Sequence, residues 1–228
     1  MIKAVIFDMY ETLITLFNST LYKGSQIASD MNIPEQEFRK IWDPSDDART
    51  LGEMTFEEVI REILEANGIF SSELYDTIIG KRYSCTAEAF SHKHPGIIPM
   101  LEALKEKGIY IGLITNCYFE ERDAIRKSDL FGYFDAALMS CEIGIKKPDR
   151  KVFELCAERL GVKPEECLYV GDGGSNELEA AEAFGMKPVQ ATWYLREGVG
   201  QPCGKLAGFD QAAAPEDVIR AVESMECL

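Results

Sequence analysis

The chain has 228 residues, with 24 Lys and Arg against 39 Asp and Glu, which gives a formal net charge of −15 at pH 7. This acidity argues against a nucleic-acid-binding protein, because recognition of a DNA or RNA backbone depends on clustered cations that neutralise phosphates. The composition, 46% hydrophobic and 28% charged, is that of a globular protein, and no apolar stretch reaches the roughly 20 residues of a membrane-spanning helix.

The first residues and the cysteines favour a cytoplasmic protein. Met1-Ile2-Lys3 leads directly into a short apolar run, without the long hydrophobic segment and cleavage site of a secretion signal. The seven cysteines are odd in number, scattered and never spaced as Cys-x-x-Cys. This pattern indicates reduced thiols better than disulfides or a zinc site.

Five short apolar runs predict strands that are buried on both faces. They are residues 4–7, 110–114, 136–139, 167–170 and, more weakly, 188–191. Helix-period segments lie between them at residues 97–107, 120–127, 150–160 and 176–184, and Gly108, Gly161 and Gly185 are the expected helix stops. The alternation predicts an α/β fold with a Rossmann-like parallel sheet and helices on both faces.

About a hundred residues separate the first two predicted strands, far more than an ordinary crossover connection. Residues 15–90 have helical patterning almost throughout, and Thr55-x-x-Glu58 is a capping-box pattern. We therefore expect an all-helical domain at 15–90, inserted into a core of residues 1–14 and 91–228. Because long insertions at a functional sheet edge are usually lids, we favour a lid over a merely stabilising decoration.

Ligands of a parallel sheet bind beyond the carboxyl ends of its strands, so the polar residues that follow each apolar run are the candidates. Asp8 ends the first strand, where a carboxylate can act as a nucleophile or simply cap a turn. Thr115 and Asn116 follow the second strand and could bind a transferring group or cap the next helix. Each of these matches is weak when taken alone.

The ends of the third and fourth strands add a cation and two acids. Lys147 could be the counter-ion of an incoming anion, although surface lysines are usually only solvated. Asp172 and Glu177 lie five residues apart across a glycine-rich turn. Together with Asp8 they would form a carboxylate cluster that requires a cation, and magnesium suits such a site. Four such sites at four strand ends are hard to obtain by accident.

The four sites resemble the motifs of the haloacid dehalogenase superfamily, whose members use an aspartate nucleophile mostly to hydrolyse phosphate esters. The first motif, Asp-x-Asp-x-Thr, resembles residues 8–12, and the second, a strand followed by Thr or Ser, resembles Thr115. The third, Lys before Pro, resembles Lys147-Pro148, and the fourth, Gly-Asp-x-x-x-Asn-Asp, resembles residues 171–177. The motifs span residues 4–186, and the helical insert resembles the cap of one subclass.

The resemblance implies a magnesium-dependent phosphatase. Asp8 would attack phosphorus, and water would then hydrolyse the aspartyl-phosphate. Magnesium would be held by Asp8, by the backbone carbonyl of Tyr10 and by Asp172, with Glu177 bound directly or through a water. The substrate would be a small phosphorylated metabolite, with no nucleic-acid or membrane partner, and the protein a monomer or homodimer.

The resemblance also implies the phosphate-binding residues. Thr115, Asn116 and Lys147 would orient and neutralise the phosphoryl oxygens. In the insert, Arg49 is expected in a helix-breaking loop, where its guanidinium could bind a carboxylate or phosphate in a bidentate manner. It could equally pair with Asp46 or Asp47.

The departure from the family pattern is Tyr10, where the phosphatases usually have a second aspartate that protonates the leaving alcohol. A phenol with a pKa near 10 is a poor substitute at neutral pH, and Glu11 is a candidate replacement. The 2-haloacid dehalogenases of the superfamily carry Tyr at this position, and a halide leaving group needs no proton. Dehalogenation is therefore the first alternative.

Asp172 argues against that alternative, because the dehalogenases need no metal and have a serine in its place. An Asp172 that faces Asp8 without a cation would suffer like-charge repulsion, so its presence favours magnesium and a phosphorylated substrate. A third interpretation is a catalytically weak family member with a binding or regulatory role. The intact Thr115 and Lys147 make this interpretation less favoured.

Overall fold

The computed structural model describes residues 1–196 and 204–224, and within them six parallel strands form one sheet in the order β3-β2-β1-β4-β5-β6. The strands are β1 (Ala4–Phe7), β2 (Tyr110–Thr115), β3 (Ala136–Met139), β4 (Cys167–Gly171), β5 (Lys187–Ala191) and β6 (Asp210–Ala212). The five predicted strands are confirmed. The sixth was not predicted, because its three residues include only one that is buried and form no apolar run.

Eleven α-helices lie in the described residues. They are α1 (Gly24–Asp30), α2 (Glu35–Trp42), α3 (Asp46–Thr50), α4 (Phe56–Ala66), α5 (Ser72–Glu88), α6 (Ile97–Glu106), α7 (Phe119–Lys127), α8 (Ser140–Ile143), α9 (Arg150–Leu160), α10 (Glu177–Phe184) and α11 (Glu216–Ser224). The predicted stops at Gly108, Gly161 and Gly185 all have positive φ angles, as a left-handed helix cap requires.

The sheet has a hydrophobic cluster on each face, as its continuous apolar strands predict. Alternate residues of β1 point to opposite sides, so that Val5 and Phe7 join one cluster while Ala4 and Ile6 join the other. Helices α6, α7 and α11 contribute to the first cluster, and α9 and α10 to the second. Because β1 lies between β2 and β4, the residue that follows it emerges near the middle of the sheet edge.

Helices α1–α5 occupy the chain between β1 and β2 and surround a hydrophobic cluster of their own. The predicted capping box is present at the start of α4, where Thr55 accepts from the backbone N–H of Glu58. The expected loop at Arg49 is wrong, because Arg49 lies in α3, and the left-handed Gly52 comes only after that helix has ended. The domain boundaries at residues 14/15 and 90/91 stay a prediction.

Two further features concern the membrane and the thiols. Within the described part of the chain, no helix combines the length and apolar character that crossing a bilayer requires. The five cysteines described there are free thiols, as expected, and Cys203 and Cys227 lie outside the described residues.

Gly52 allows helix α3 to pack against α8, and we expect its replacement to weaken this contact. Its φ is +78°, and a Cβ there would lie 1.9 Å from the backbone oxygen of Cys141. Gly68 is a matched control, since its φ is +66° but nothing lies within 4 Å of its Cβ position. We predict that Gly68→Ala lowers the free energy of unfolding by about 1 kcal/mol and Gly52→Ala by about 2–4 kcal/mol. Urea titration measures both, and equal losses would contradict the packing argument.

Candidate active site

The carboxyl ends of the central strands border a cavity of about 300 Å³. Six side chains from this edge of the sheet line it: Asp8, Tyr10, Asn116, Lys147, Asp172 and Glu177. Leu16, Phe17 and Lys23, from the segment that leads into the helical insert, line the same cavity. The fold therefore brings most of the sequence-predicted site residues together in one place.

A buried ion network forms the base of the cavity. Lys147 Nζ lies 2.5 Å from Asp8 Oδ1 and 2.5 Å from Glu177 Oε2. Tyr169 donates its hydroxyl proton to the same Glu177 oxygen at 2.8 Å. Lys147 is 4% exposed and Glu177 1% exposed, so these charges interact with little solvent screening.

The network shifts the acidity of its members. Burial opposes the charged form of Lys147, but Asp8 and Glu177 outweigh this effect and hold the pKa of the ammonium above its usual value. Burial raises the pKa of Glu177, against the opposing effect of Lys147. Burial, followed by the nearby Asp8, raises the pKa of Asp172 to about 6. One lysine does not compensate three buried carboxylates.

Asn116 holds Lys147 in place from the end of the neighbouring strand β2. Its side-chain oxygen accepts from the backbone N–H of Lys147 at 2.8 Å, and its amide nitrogen donates to the backbone oxygen of Lys147 at 3.1 Å. The sequence predicted Asn116 as a phosphate-binding residue. In the structure it fixes the backbone from which the lysine reaches Asp8, and its phosphate-binding role stays a prediction.

The turn after β4 positions both acids of the fourth motif. The backbone N–H of Gly174 donates to Asp172 Oδ1 at 2.8 Å, and that of Gly173 donates to Glu177 Oε1 at 3.2 Å. A Cβ at Gly171 would lie only 2.0 Å from Glu177 Oε1. The glycine at this position therefore leaves the room that the Glu177 carboxylate occupies.

Three of these carboxylates could hold a metal ion. Asp8, Asp172 and Glu177 each offer an oxygen, and the three oxygens lie within 4.8 Å of one another. The donor set consists of hard oxygens, which suit magnesium or calcium better than softer metals. Because Glu177 also accepts from Lys147 and Tyr169, its carboxylate is already partly compensated.

Thr115 and Tyr10 have buried hydroxyls that find no hydrogen-bond partner within the described residues. Thr115 ends β2, one position before the cavity-lining Asn116. Burial, followed by Glu121, raises the pKa of the Tyr10 phenol well above its usual value. Tyr10 is therefore an even weaker acid than a free phenol.

Glu11, the candidate replacement acid, lines the cavity, but both of its carboxylate oxygens are engaged. Thr15 Oγ1 donates to Glu11 Oε2 at 2.6 Å, and the backbone N–H of Leu16 donates to Glu11 Oε1 at 2.8 Å. The φ of Glu11 is +56°, an uncommon value for a residue other than glycine. These bonds tie the carboxylate to the start of the helical insert.

Arg49 is not among the residues that line the cavity. Its side chain is 1% exposed, and its guanidinium carbon lies 3.8 Å from the ring centre of Trp42 and 4.4 Å from that of Tyr118. Its Nε donates to Ser45 Oγ at 2.9 Å, and Asp46 is its ion-pair partner at 3.6 Å. The structure thus displays the Asp46 pairing that the sequence left open.

Sequence reasoning missed two side chains near the cavity. The sequence analysis treated Tyr169 only as part of an apolar strand, although a phenol in the middle of β4 reaches the Glu177 carboxylate. Lys23 carried no motif signal, because its place in the cavity wall depends on how the helical insert folds back over the sheet. Neither position could be assigned from spacing along the chain.

Comparisons with known proteins give a consistent result. A family model described as haloacid dehalogenase-like hydrolase matches residues 2–185. The chain is 29% identical over 209 residues to a glyceraldehyde 3-phosphate phosphatase of Methanopyrus kandleri, covering 83% of this chain and 84% of that protein.

Two solved structures are similar to this protein over nearly the whole chain. A phosphatase of the same superfamily from Thermococcus onnurineus superposes with a TM-score of 0.64 at 22% identity, covering 97% of this chain and 98% of that one. A 2-haloacid dehalogenase from Pseudomonas syringae superposes with a TM-score of 0.66 at 20% identity, covering 99% and 100%. At such identities the structures support the fold alone, and they include both enzyme types.

Removal of the Lys147 cation tests the ion network. Lys147→Met leaves buried carboxylates without their counter-ion, and we expect a loss of about 3–5 kcal/mol in the free energy of unfolding at neutral pH. Lys146→Met is the control: Lys146 pairs with Asp47 at the surface, and its loss should cost less than about 1 kcal/mol.

The free energy of unfolding that Lys147→Met loses should depend on pH, because removal of the counter-ion raises the pKa of a buried carboxyl. Burial already raises the pKa of Glu177 against the effect of Lys147, so without Lys147 the folded-state pKa of this carboxyl lies further above its unfolded value and the folded variant binds a proton as the pH falls. The stability deficit of Lys147→Met should therefore shrink between about pH 8 and pH 5. Urea titrations across this range measure it, and a constant deficit would show that packing, not charge, is lost.

Proposed function

The chain belongs to the haloacid dehalogenase-like hydrolase family, and on that premise we propose that it is a magnesium-dependent phosphatase of small phosphorylated metabolites. One observation carries the proposal: Asp172 shares a buried cluster with Asp8 and Glu177, with ligand oxygens within 4.8 Å of one another. Such a cluster has little use in a reaction that needs no cation, because the like charges raise one another's energy.

The residues present fit a magnesium ion. Asp8, Asp172 and Glu177 supply carboxylate oxygens, and the backbone carbonyl of Tyr10 is the further ligand that the family resemblance suggests. Burial and Asp8 raise the pKa of Asp172 to about 6, because both disfavour its ionised form. A cation at the cluster would stabilise that ionised form. When bound, magnesium would neutralise negative charge on the phosphoryl oxygens in the transition state.

The chain's own residues then have separate roles. Asp8 is the nucleophile, and Lys147, 2.5 Å from its Oδ1, pairs with its carboxylate and fixes its direction. The Thr115 hydroxyl donates to a phosphoryl oxygen, which would satisfy a buried group that has no partner among the described residues. As the Asp8 oxygen bonds to phosphorus, the ester P–O bond breaks and the leaving oxygen departs as an anion that takes its proton from water. Water then hydrolyses the aspartyl-phosphate, which releases inorganic phosphate and regenerates the Asp8 carboxylate.

The leaving group receives little help from Tyr10, because burial keeps its phenol protonated and weakly acidic. Esters whose alcohols leave without a proton should therefore react fastest. The cavity, about 300 Å³, is at the small end of ligand sites, which supports a short substrate. The relative from Methanopyrus kandleri, named for glyceraldehyde 3-phosphate, supports the same size class.

The helical insert is proposed as the cap over this cavity. Arg82 of α5 donates to Glu120 and Glu121 of α7 at 3.0 Å each, so ion pairs join the insert to the core close to the site. Closure of this cap would exclude bulk water from the aspartyl ester. The free thiols support a cytoplasmic location, which remains part of the proposal.

Dehalogenation of 2-haloacids is the second candidate, and the observation that favours it is Tyr10 in the first motif. A halide needs no proton from that position. Asp172 weighs against it, since a carboxylate that faces Asp8 would repel both the nucleophile and an anionic haloacid unless a cation were bound.

The proposal is tested by hydrolysis of an aryl phosphate, whose good leaving group tolerates the missing acid at position 10. We expect phosphate release that needs magnesium, stops with a chelator and falls at least about a thousandfold in Asp8→Asn. Release of halide from 2-chloropropionate without added metal, in the absence of phosphatase activity, would instead establish the dehalogenase. If the folded protein has neither activity, the result would favour a binding role.

A second prediction separates metal binding from turnover. Asp172→Asn removes one buried like charge, so in chelator its melting temperature should equal or exceed that of the unaltered protein. Added magnesium should raise the melting temperature of the unaltered protein but not that of the variant. Glu179→Gln, which alters an exposed acid on helix α10 beyond the cluster, is the control and should respond as the unaltered protein does. An equal magnesium shift in Asp172→Asn would contradict the assigned site.

A further inference from the structure

The cavity has two chemically different sides. The sheet edge contributes the ion network around Lys147, where the phosphoryl group of a substrate would bind. The opposite side comes from the segment that enters the helical insert and consists of Leu16, Phe17 and Lys23. A substrate bound at Asp8 therefore extends toward two apolar side chains and one ammonium group.

The charge balance of the cavity singles out this ammonium. Four lining residues are carboxylates, namely Asp8, Glu11, Asp172 and Glu177, and two are lysines. Lys147 is already held between Asp8 and Glu177. Lys23 is exposed, which places it where the cavity opens, and among the described residues its Nζ has no ion-pair or hydrogen-bond partner.

The backbone of Lys23 is nevertheless fixed. Lys23 is the N-cap residue of α1, and its backbone N–H donates to Gln26 Oε1 at 3.1 Å. Its ammonium lies 5.6 Å from the ring centre of Phe17, within the range of a cation–π contact. The side chain is thus anchored at its base, rests on an aromatic ring and keeps its charge available for an anion.

We propose that Lys23 is a specificity residue that binds a second anionic group of the substrate, a carboxylate at the end opposite to the phosphate. The inference rests on the proposed phosphatase function and narrows its substrate class to phosphate esters of short hydroxy acids. Leu16 and Phe17 would pack against the few carbons between the two anions. An ammonium on a flexible stem suits a single contact to a carboxylate. A phosphate ester without a carboxylate would leave the Lys23 ammonium without an anionic partner.

The test compares two esters of similar size, phosphoglycolate and 2-hydroxyethyl phosphate, which differ in whether the distal group is charged. We expect the unaltered protein to prefer phosphoglycolate by at least about tenfold in kcat/KM. Lys23→Gln should reduce that preference to less than about threefold, mainly through a higher KM for phosphoglycolate. Lys23→Arg, which keeps the charge, should retain most of the preference. Lys40→Gln, an exposed lysine on α2 that pairs with Glu37, should change neither value.

The outcomes separate this inference from the proposed function. Equal kcat/KM values for the two esters in the unaltered protein, or an equal loss for both esters in Lys23→Gln, would overturn the role of Lys23 while phosphatase activity stands. If Lys23→Gln fails to fold, a Lys23→Arg variant without the preference for phosphoglycolate overturns it in the same way. Failure of the unaltered protein to hydrolyse these esters and the aryl phosphate would instead overturn the proposed function itself.

Discussion

The contact between Lys147, Asp8 and Glu177 is the constraint on which the site depends. Burying one ammonium with several carboxylates is unfavourable unless every charge has a partner at hydrogen-bond distance. The protein meets this condition from four strand ends, with Asn116 fixing the lysine backbone and Tyr169 donating to Glu177. Burial, followed by the remaining excess of negative charge at Asp8, raises the pKa of Asp172 to about 6, and a cation at the cluster would stabilise the charged carboxylates.

The fold supplies this arrangement through ordinary parallel-sheet geometry. Because β1 lies in the middle of the sheet, Asp8 emerges between the ends of β2 and β4, where residues from both neighbours reach it. The chain leaves the sheet after β1, forms the helical insert and returns to the sheet at β2. Its first segment therefore passes over the same edge and contributes Leu16, Phe17 and Lys23 to the cavity wall. The proposed catalytic residues and the proposed specificity residue thus come from different parts of the chain.

Sequence reasoning was strongest where local patterns carry the information. Apolar runs located five strands, and an acid or lysine after three of these runs located Asp8, Lys147 and Asp172 at one edge. It failed where the answer depends on tertiary packing. Arg49 was assigned to a loop near phosphate, but stacking between Trp42 and Tyr118 holds it in α3 away from the cavity. The short strand β6 has no apolar run that would predict it. Lys23 lies at the cavity only because of how the insert folds, which its neighbours in the sequence do not indicate.

The most direct measurement of the central claim is the identity of the covalent intermediate. Protein mixed with an aryl phosphate and magnesium would be quenched in acid within one turnover, and its peptides analysed by mass spectrometry. The account predicts one added phosphoryl group on the peptide that contains Asp8, and none in Asp8→Asn. Phosphate release without any covalent adduct, or an adduct on another residue, would contradict the assignment of Asp8 as the nucleophile.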